Sequence, residues 1–278
     1  MPSPFLNWLE TAPLVLIGVV LFALMLAAAA ITYFARTYLR RDDRDAEKRT
    51  DYDGYIVTAV LGLLALLLGF TFSLAIGRFE ERRELVISDA NAIGTAYLRT
   101  QLLPAPHRAR LSQLLIELAD NKIALATIDY AHAKPLVARE DALITDIWAA
   151  TAAAFDSVKA SPFANALIES MNTMIDLDAS RRVARTTRIP TEVFAVLLIY
   201  LVGSAAVLGF VLAGGRGLLA AVFLLVLFSM SLLLVLDIDR PVSGSIREDQ
   251  RAMEQLRASL QSQPPAVFDR WRNDPLRH

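Results

Sequence analysis

A run of 22 residues without a charge, Ile56 to Gly77, passes directly into Arg78, Glu80, Glu81, Arg82, Arg83 and Glu84. About 20 apolar residues suffice for a helix to cross the hydrocarbon core of a bilayer. No proline, glycine pair or turn cluster separates the two parts. The sequence therefore predicts one helix, from Gly54 to about Leu103, that leaves the membrane and continues in water. Every other segment has to be placed around it. Hydrophobic residues make up 55% of the chain and charged residues 21%. The charged share is close to the roughly 25% of a soluble domain. Apolar and polar residues must therefore be segregated, in blocks for lipid and blocks for water.

Three further apolar blocks follow this rule. Pro13 to Ala35 is uncharged over 23 residues and predicts the first transmembrane helix. Residues 1–12 contain no Lys or Arg, so they lack the basic region of a secretory signal and form an N-terminal segment. A loop dense in both charges, Arg36 to Tyr55, leads into the long helix. Pro190 opens a third span, Thr191 to Ala213, and Gly214, Gly215, Arg216 and Gly217 form a tight turn into a fourth, Gly217 to Leu236. The fourth stops at Asp237, Asp239, Arg240 and Pro241. The expected division is 1–12 N-terminal segment, 13–77 helices one and two, 78–190 helical extramembrane region, 191–236 helices three and four, and 237–278 tail.

Between 78 and 190 the pattern is helical. Phe79, Val86, Ala90, Ile93 and Tyr97 recur at helical spacing. Helices are expected from about 106 to 133, from Pro135 onward, and from Ser161–Pro162 to about Arg185. Their apolar faces read as Leu111, Leu114, Leu115, Leu118 and Ile123, then Leu143, Ile144, Ile147, Trp148 and Phe155, then Phe163, Leu167, Met171, Met174 and Ile175. Ser245 to Glu248 matches a capping box and predicts a tail helix of about 15 residues. The fold class is all-α, with four transmembrane helices and a mostly helical extramembrane region between helices two and three. The positive-inside rule gives opposing answers. Arginines near the membrane ends of 78–190 and of the tail place those regions inside, whereas the first helix, with basic residues only after it, reverses this.

Much chemistry is excluded. The net charge of −1 creates no field that would gather nucleic acid. There are no cysteines, and His107, His132 and His278 are scattered, so no metal site is expected. The span interiors hold no Asp, Glu, Lys, Arg or His, the groups that ion-coupled transporters and intramembrane hydrolases use at depth. No phosphate loop, HExxH or GxSxG motif occurs. The chain reads as a non-enzyme without catalytic residues or cofactor. A passive pore survives, because an apolar ring can gate ions by dewetting, provided several copies surround it.

The second span carries a face suited to that. Gly54, Thr58, Gly62, Ala65, Gly69, Ser73 and Gly77 form one stripe of small residues, with Leu66 on it and Phe70 beside it. Small residues let helix backbones approach closely in lipid. Two uses are open: packing within one subunit, with Gly54, Gly62, Gly69, Ser73 and Gly77 as the contact stripe, or a face shared between subunits around an axis.

The order of elements resembles the bestrophins, and Gly69-Phe70 followed by Arg78-Phe79 looks like their neck and helix-exit pattern. A nearer resemblance is to the bacterial bestrophin-like family. It is carried by Leu68-Gly69-Phe70-Thr71-Phe72, Arg82-Arg83, Asp89-Ala90-Asn91-Ala92-Ile93-Gly94-Thr95, Tyr97-Leu98-Arg99, Leu103-Pro104, and Leu236-Asp237-Ile238-Asp239-Arg240-Pro241 with Gly244. Arg78, Asp89, Asn91, Gly94, Tyr97, Arg99, Asp239, Arg240 and Pro241 are the family-like positions. Read plainly, Asp89 and Asn91 bond to neighbouring helices and Asp239–Arg240 anchors the membrane boundary. The resemblance implies a multi-pass protein of the bacterial inner membrane. It implies a homo-oligomeric passive channel for small ions, with Leu63, Leu66 and Phe70 at the pore neck. The alternative is a non-conducting scaffold or sensor whose helical region binds a partner.

Overall fold

The computed structural model describes residues 12–39, 46–128, 132–212, 215–240 and 244–270. These form eight α-helices and a short 3-10 turn: α1 Leu14–Leu39, α2 Ala46–Thr100, α3 Ala105–Thr127, α4 Lys134–Val158, α5 Phe163–Thr186, α6 Thr191–Val211, α7 Gly215–Asp239, α8 Arg251–Ser262, and the turn Pro265–Asp269. Helix α2 is unbroken over 55 residues. It also starts earlier than expected, and α1 ends later, so residues 36–39 and 46–55 of the loop foreseen over 36–55 are helical; residues 40–45 lie outside the described residues. Ala46, Glu47, Lys48 and Arg49 are all good helix formers, and charge opposes burial in lipid, not helix formation in water.

Two compact units divide the chain, one of Met1–Arg78 and Arg188–Ile246, the other of Phe79–Thr187 and Arg247–His278. The first is the membrane unit. The apolar part of α2 and helices α1, α6 and α7 are each long and apolar enough to cross a bilayer. Helix α1 packs on α6 and α7. Its core residues repeat every four positions, Ile17, Leu21 and Met25 on α1 against Leu197, Leu201, Ala205 and Leu208 on α6 and Leu225, Leu232 and Leu236 on α7. Backbones come close where side chains are smallest. A Cβ at Gly209 would sit 2.1 Å from the Ala29 carbonyl oxygen, and one at Gly18 would sit 2.6 Å from Leu233 Cδ1. The Thr32 hydroxyl donates to Ala206 O at 2.7 Å. Arg36 Nη1 donates to Phe210 O at 2.7 Å and to Val211 O at 2.6 Å, placing a cation on the exposed carbonyls that end α6. Helix α7 begins at Gly215, so part of the expected glycine turn is helical; residues 213 and 214 lie outside the described residues.

The extramembrane unit is a helical bundle, with α3 packed on α4 and α8, and α4 on α5. Its core joins Ile93 and Tyr97 of α2 with Leu111, Leu115 and Leu118, Leu143 and Ile147, Leu167, Met171 and Met174, and Met253 and Leu260 of α8. Prolines 104, 135, 162 and 190 each stand at or just before a helix start, where a missing N–H costs nothing. Three expectations need correction. Helix α3 stops at Thr127, not 133; the next residue, β-branched Ile128, takes extended backbone, a conformation that suits its side chain better than the helix does. Trp148 and Phe155 are exposed, and the buried face of α4 continues through Ala150, Thr151 and Ala154 instead. The tail helix begins at Arg251 and has 12 residues. Ser245 and Glu248 cannot form a capping box because Ser245 N donates to Asp237 Oδ1 at 2.5 Å and Glu248 pairs with Arg82 at 2.7 Å.

Candidate functional site

Within the membrane unit α2 buries one narrow strip, Leu64, Leu68, Thr71 and Ala75. The opposite face is uncovered. A Cβ at Gly54, Gly62, Gly69 or Gly77 would meet nothing within 4 Å, and Ser73 is exposed. The apolar residues expected at a neck lie on this open side, with Leu63 42%, Leu66 52% and Phe70 65% exposed. Exposure alone means little in a chain surrounded by lipid; Val15, Phe34, Leu219 and Phe223 are exposed too. What sets α2 apart is size. Those residues on α1 and α7 present large side chains, as a lipid-facing surface does, while α2 presents a line of glycines. Small residues that pack inside the chain include Gly18, Gly209, Ala205 and Ala221, and the glycines of the α2 stripe take no part.

The family-like residues divide by unit. In the membrane unit, Arg78 Nε is buried with no hydrogen-bond partner. Asp239 Oδ1 accepts from Ile189 N at 3.1 Å, and Arg188 Nη1 donates to Asp239 O at 2.5 Å. Arg240 Nη1 donates to Ala12 O at 2.9 Å. This joint ties the end of α7 to the start of α6 and to Ala12, two residues before α1, as a boundary anchor does. Pro241 lies outside the described residues.

In the extramembrane unit, Tyr97 is buried, its hydroxyl donates to Gln263 O at 2.8 Å, and its ring meets Phe268 edge-on. Burial pushes its phenol pKa up, with the Ser112 hydrogen bond opposing. A Cβ at Gly94 would lie 3.1 Å from Leu256 Cδ1, so α8 packs close there. Arg99 Nη1 donates to Ala166 O. Asn91, expected to bond a neighbouring helix, is exposed instead.

Asp89 belongs to a buried charge cluster. The Lys122 ammonium lies 3.0 Å from Asp89 Oδ2 and 3.3 Å from Glu140 Oε1, and also bonds Asp178 Oδ1. One cation from α3 thus holds carboxylates from α2, α4 and α5. Arg181 Nη1 reaches Asp89 Oδ2 at 3.0 Å, and its Nη2 donates to Gln250 Oε1 at 2.9 Å. Arg182 reaches Asp178 at 3.2 Å, Glu140 at 3.6 Å and the exposed Asp141 at 2.6 Å. Sequence reasoning missed all of these except Asp89. A signal was present: Lys122, Glu140, Asp178 and Arg181 fall in step with apolar stripes, for example Leu111, Leu115, Leu118 and then Lys122. A charge at a core register position must find a counter-charge, and here four helices supply one another's.

A family model described as a bestrophin-like domain matches residues 22–253. Solved structures agree on the fold. A variant of a bacterial bestrophin homologue from Klebsiella pneumoniae aligns with TM-score 0.65 at 19% identity, covering 89% of this chain and 97% of that one. A second variant of that homologue gives 0.65 at 18%, covering 94% and 98%. A structure described as a membrane protein gives 0.66 at 17%, covering 89% and 97%. No curated protein matches the sequence. With its four apolar helices, its helical extramembrane unit and a match over most of its length, the chain is a membrane protein that belongs to the bestrophin-like family.

Proposed function

We propose that the chain is one subunit of a homo-oligomer whose α2 helices surround a passive path for small ions across the bacterial inner membrane. Leu63, Leu66 and Phe70 form its apolar neck. The supporting observation is the unfilled glycine face: no Cβ at Gly54, Gly62, Gly69 or Gly77 would touch the rest of its own chain. Lipid tails are as apolar as leucine, so helices associate in a bilayer through close packing of small faces. Glycines turned to lipid give up that contact; glycines turned to the same face of another copy gain it. The spans hold no Asp, Glu, Lys, Arg or His in their interiors, so conduction depends on wetting of the neck, with no catalytic step and no cofactor.

The test is the mass of the purified protein in detergent together with ion flux into liposomes. A closed oligomer with measurable flux, altered by Phe70→Ala, is expected. A strict monomer without flux overturns this reading and supports the alternative of a scaffold or sensor whose helical unit binds a partner.

A further inference from the structure

We propose that Glu140 and Asp178 form a carboxyl pair that binds one proton in mild acid, making the extramembrane unit proton-responsive whether or not the protein conducts. Both carboxylates are brought to a single ammonium, that of Lys122, which is itself nearly inaccessible and also holds Asp89. The charged groups facing Glu140 are Lys122 from α3, Asp178, Arg181, Arg182 and Arg185 from α5, and Asp89 from α2, with Asp141 beside it on α4. Glu140 has the weakest cation contacts of the set, 3.3 Å to Lys122 and 3.6 Å to Arg182. Asp178 has the close Lys122 contact and Arg182 at 3.2 Å.

The proton therefore goes to Glu140. Burial raises its pKa above the usual glutamate value, with Lys122 opposing and the neighbouring Asp178 reinforcing. Burial pushes Asp178 up too, but Lys122, the hydrogen bonds and Arg182 outweigh it and hold Asp178 below its usual value. A carboxyl whose folded pKa is raised binds more proton in the folded state than in the unfolded one. Between the raised folded value and the ordinary unfolded value, stability rises as pH falls. Asp178 acts in the opposite sense, but only at lower pH, around and below the ordinary aspartate range. The bundle is thus most secure in mild acid and loosens toward neutral pH at the α4 contact.

Hydrogen exchange of the full chain in detergent tests this on peptides from α4. Protection factors, which cancel the intrinsic pH dependence of exchange, should rise by up to about tenfold per pH unit as pH falls from Glu140's raised folded value toward the ordinary glutamate value. Glu140→Gln should abolish that slope while protecting α4 at neutral pH at least as well as the wild type. Asp141→Asn, at an exposed carboxylate, should keep the wild-type profile. Should Glu140→Gln fail to fold, infrared difference spectra of the wild type must still show a protonated carboxyl band appearing in mild acid. A flat or falling wild-type profile, a slope that survives Glu140→Gln, a slope lost in Asp141→Asn, or no carboxyl band overturns the proposal.

Discussion

Replacing Lys122 by Met keeps most of the side chain's length and volume and removes only the ammonium. The residue is 2% exposed and its charge is shared by Asp89, Glu140 and Asp178, all on different helices. After the change Asp89, which is wholly buried, keeps Arg181 as its one ion-pair contact, and Glu140 keeps Arg182 at 3.6 Å as its one. Leaving a buried charge without its partner costs about 3–5 kcal/mol. Each 1.4 kcal/mol is about tenfold in an equilibrium constant, so local opening of the bundle should rise roughly 100- to 4,000-fold. Hydrogen exchange on peptides from α3, α4 and α5 reads this directly, since those helices meet at the ammonium. High salt should change the effect little, because buried pairs are poorly screened. Lys159→Met provides the contrast: its pair with Asp156 is exposed and should be worth no more than about 1 kcal/mol. If Lys122→Met raised opening by less than about tenfold, or no more than Lys159→Met, the cluster would not be what ties the helices together.

Other expectations follow from single contacts. Gly209→Ala should destabilise the membrane unit by about 1–3 kcal/mol, because its Cβ would lie 2.1 Å from the Ala29 carbonyl oxygen. Gly62→Ala meets nothing inside the chain, so its effect should appear in subunit association and not in thermal unfolding of dissociated protein. Phe70→Ala removes a large apolar side chain from the open face and should raise liposome ion flux by widening the neck. Tyr97→Phe deletes the hydrogen bond to Gln263 O and should weaken protection of residues 263–269 by about 1 kcal/mol, measured by exchange.

The spans were legible because lipid leaves one rule in force, that about 20 apolar residues form a helix. The continuity of α2 past Gly77 was legible for the same reason, since nothing in the sequence stops it. Helix ends in water were harder. At Thr127 the helix ends because the next residue, β-branched Ile128, is extended, and at Ser245 the carboxylate of Asp237, eight residues earlier, claims the backbone N–H that a local capping pattern would use. Trp148 and Phe155 were misplaced because hydrophobicity was weighed above register. The alanines and threonine at positions 150, 151 and 154 fit the tight α4 contacts, whereas the larger rings do not. The charge cluster was hidden because its members lie far apart in sequence, Asp89, Lys122, Glu140 and Asp178, and only folding makes them neighbours. For the α2 stripe, sequence left two uses open, and the empty space beside its glycines now favours a partner outside the chain.

Thiol cross-linking gives the most direct test of that partner. The chain contains no cysteine, so Ser73→Cys introduces a single reactive group on the small-residue face. A short bis-maleimide applied to native membranes should join copies through this position, and Val15→Cys, on the exposed large-residue face of α1, should not. Efficient linkage at residue 73 alone is the result a shared α2 face predicts. No linkage at 73, or equal linkage at both positions, contradicts it.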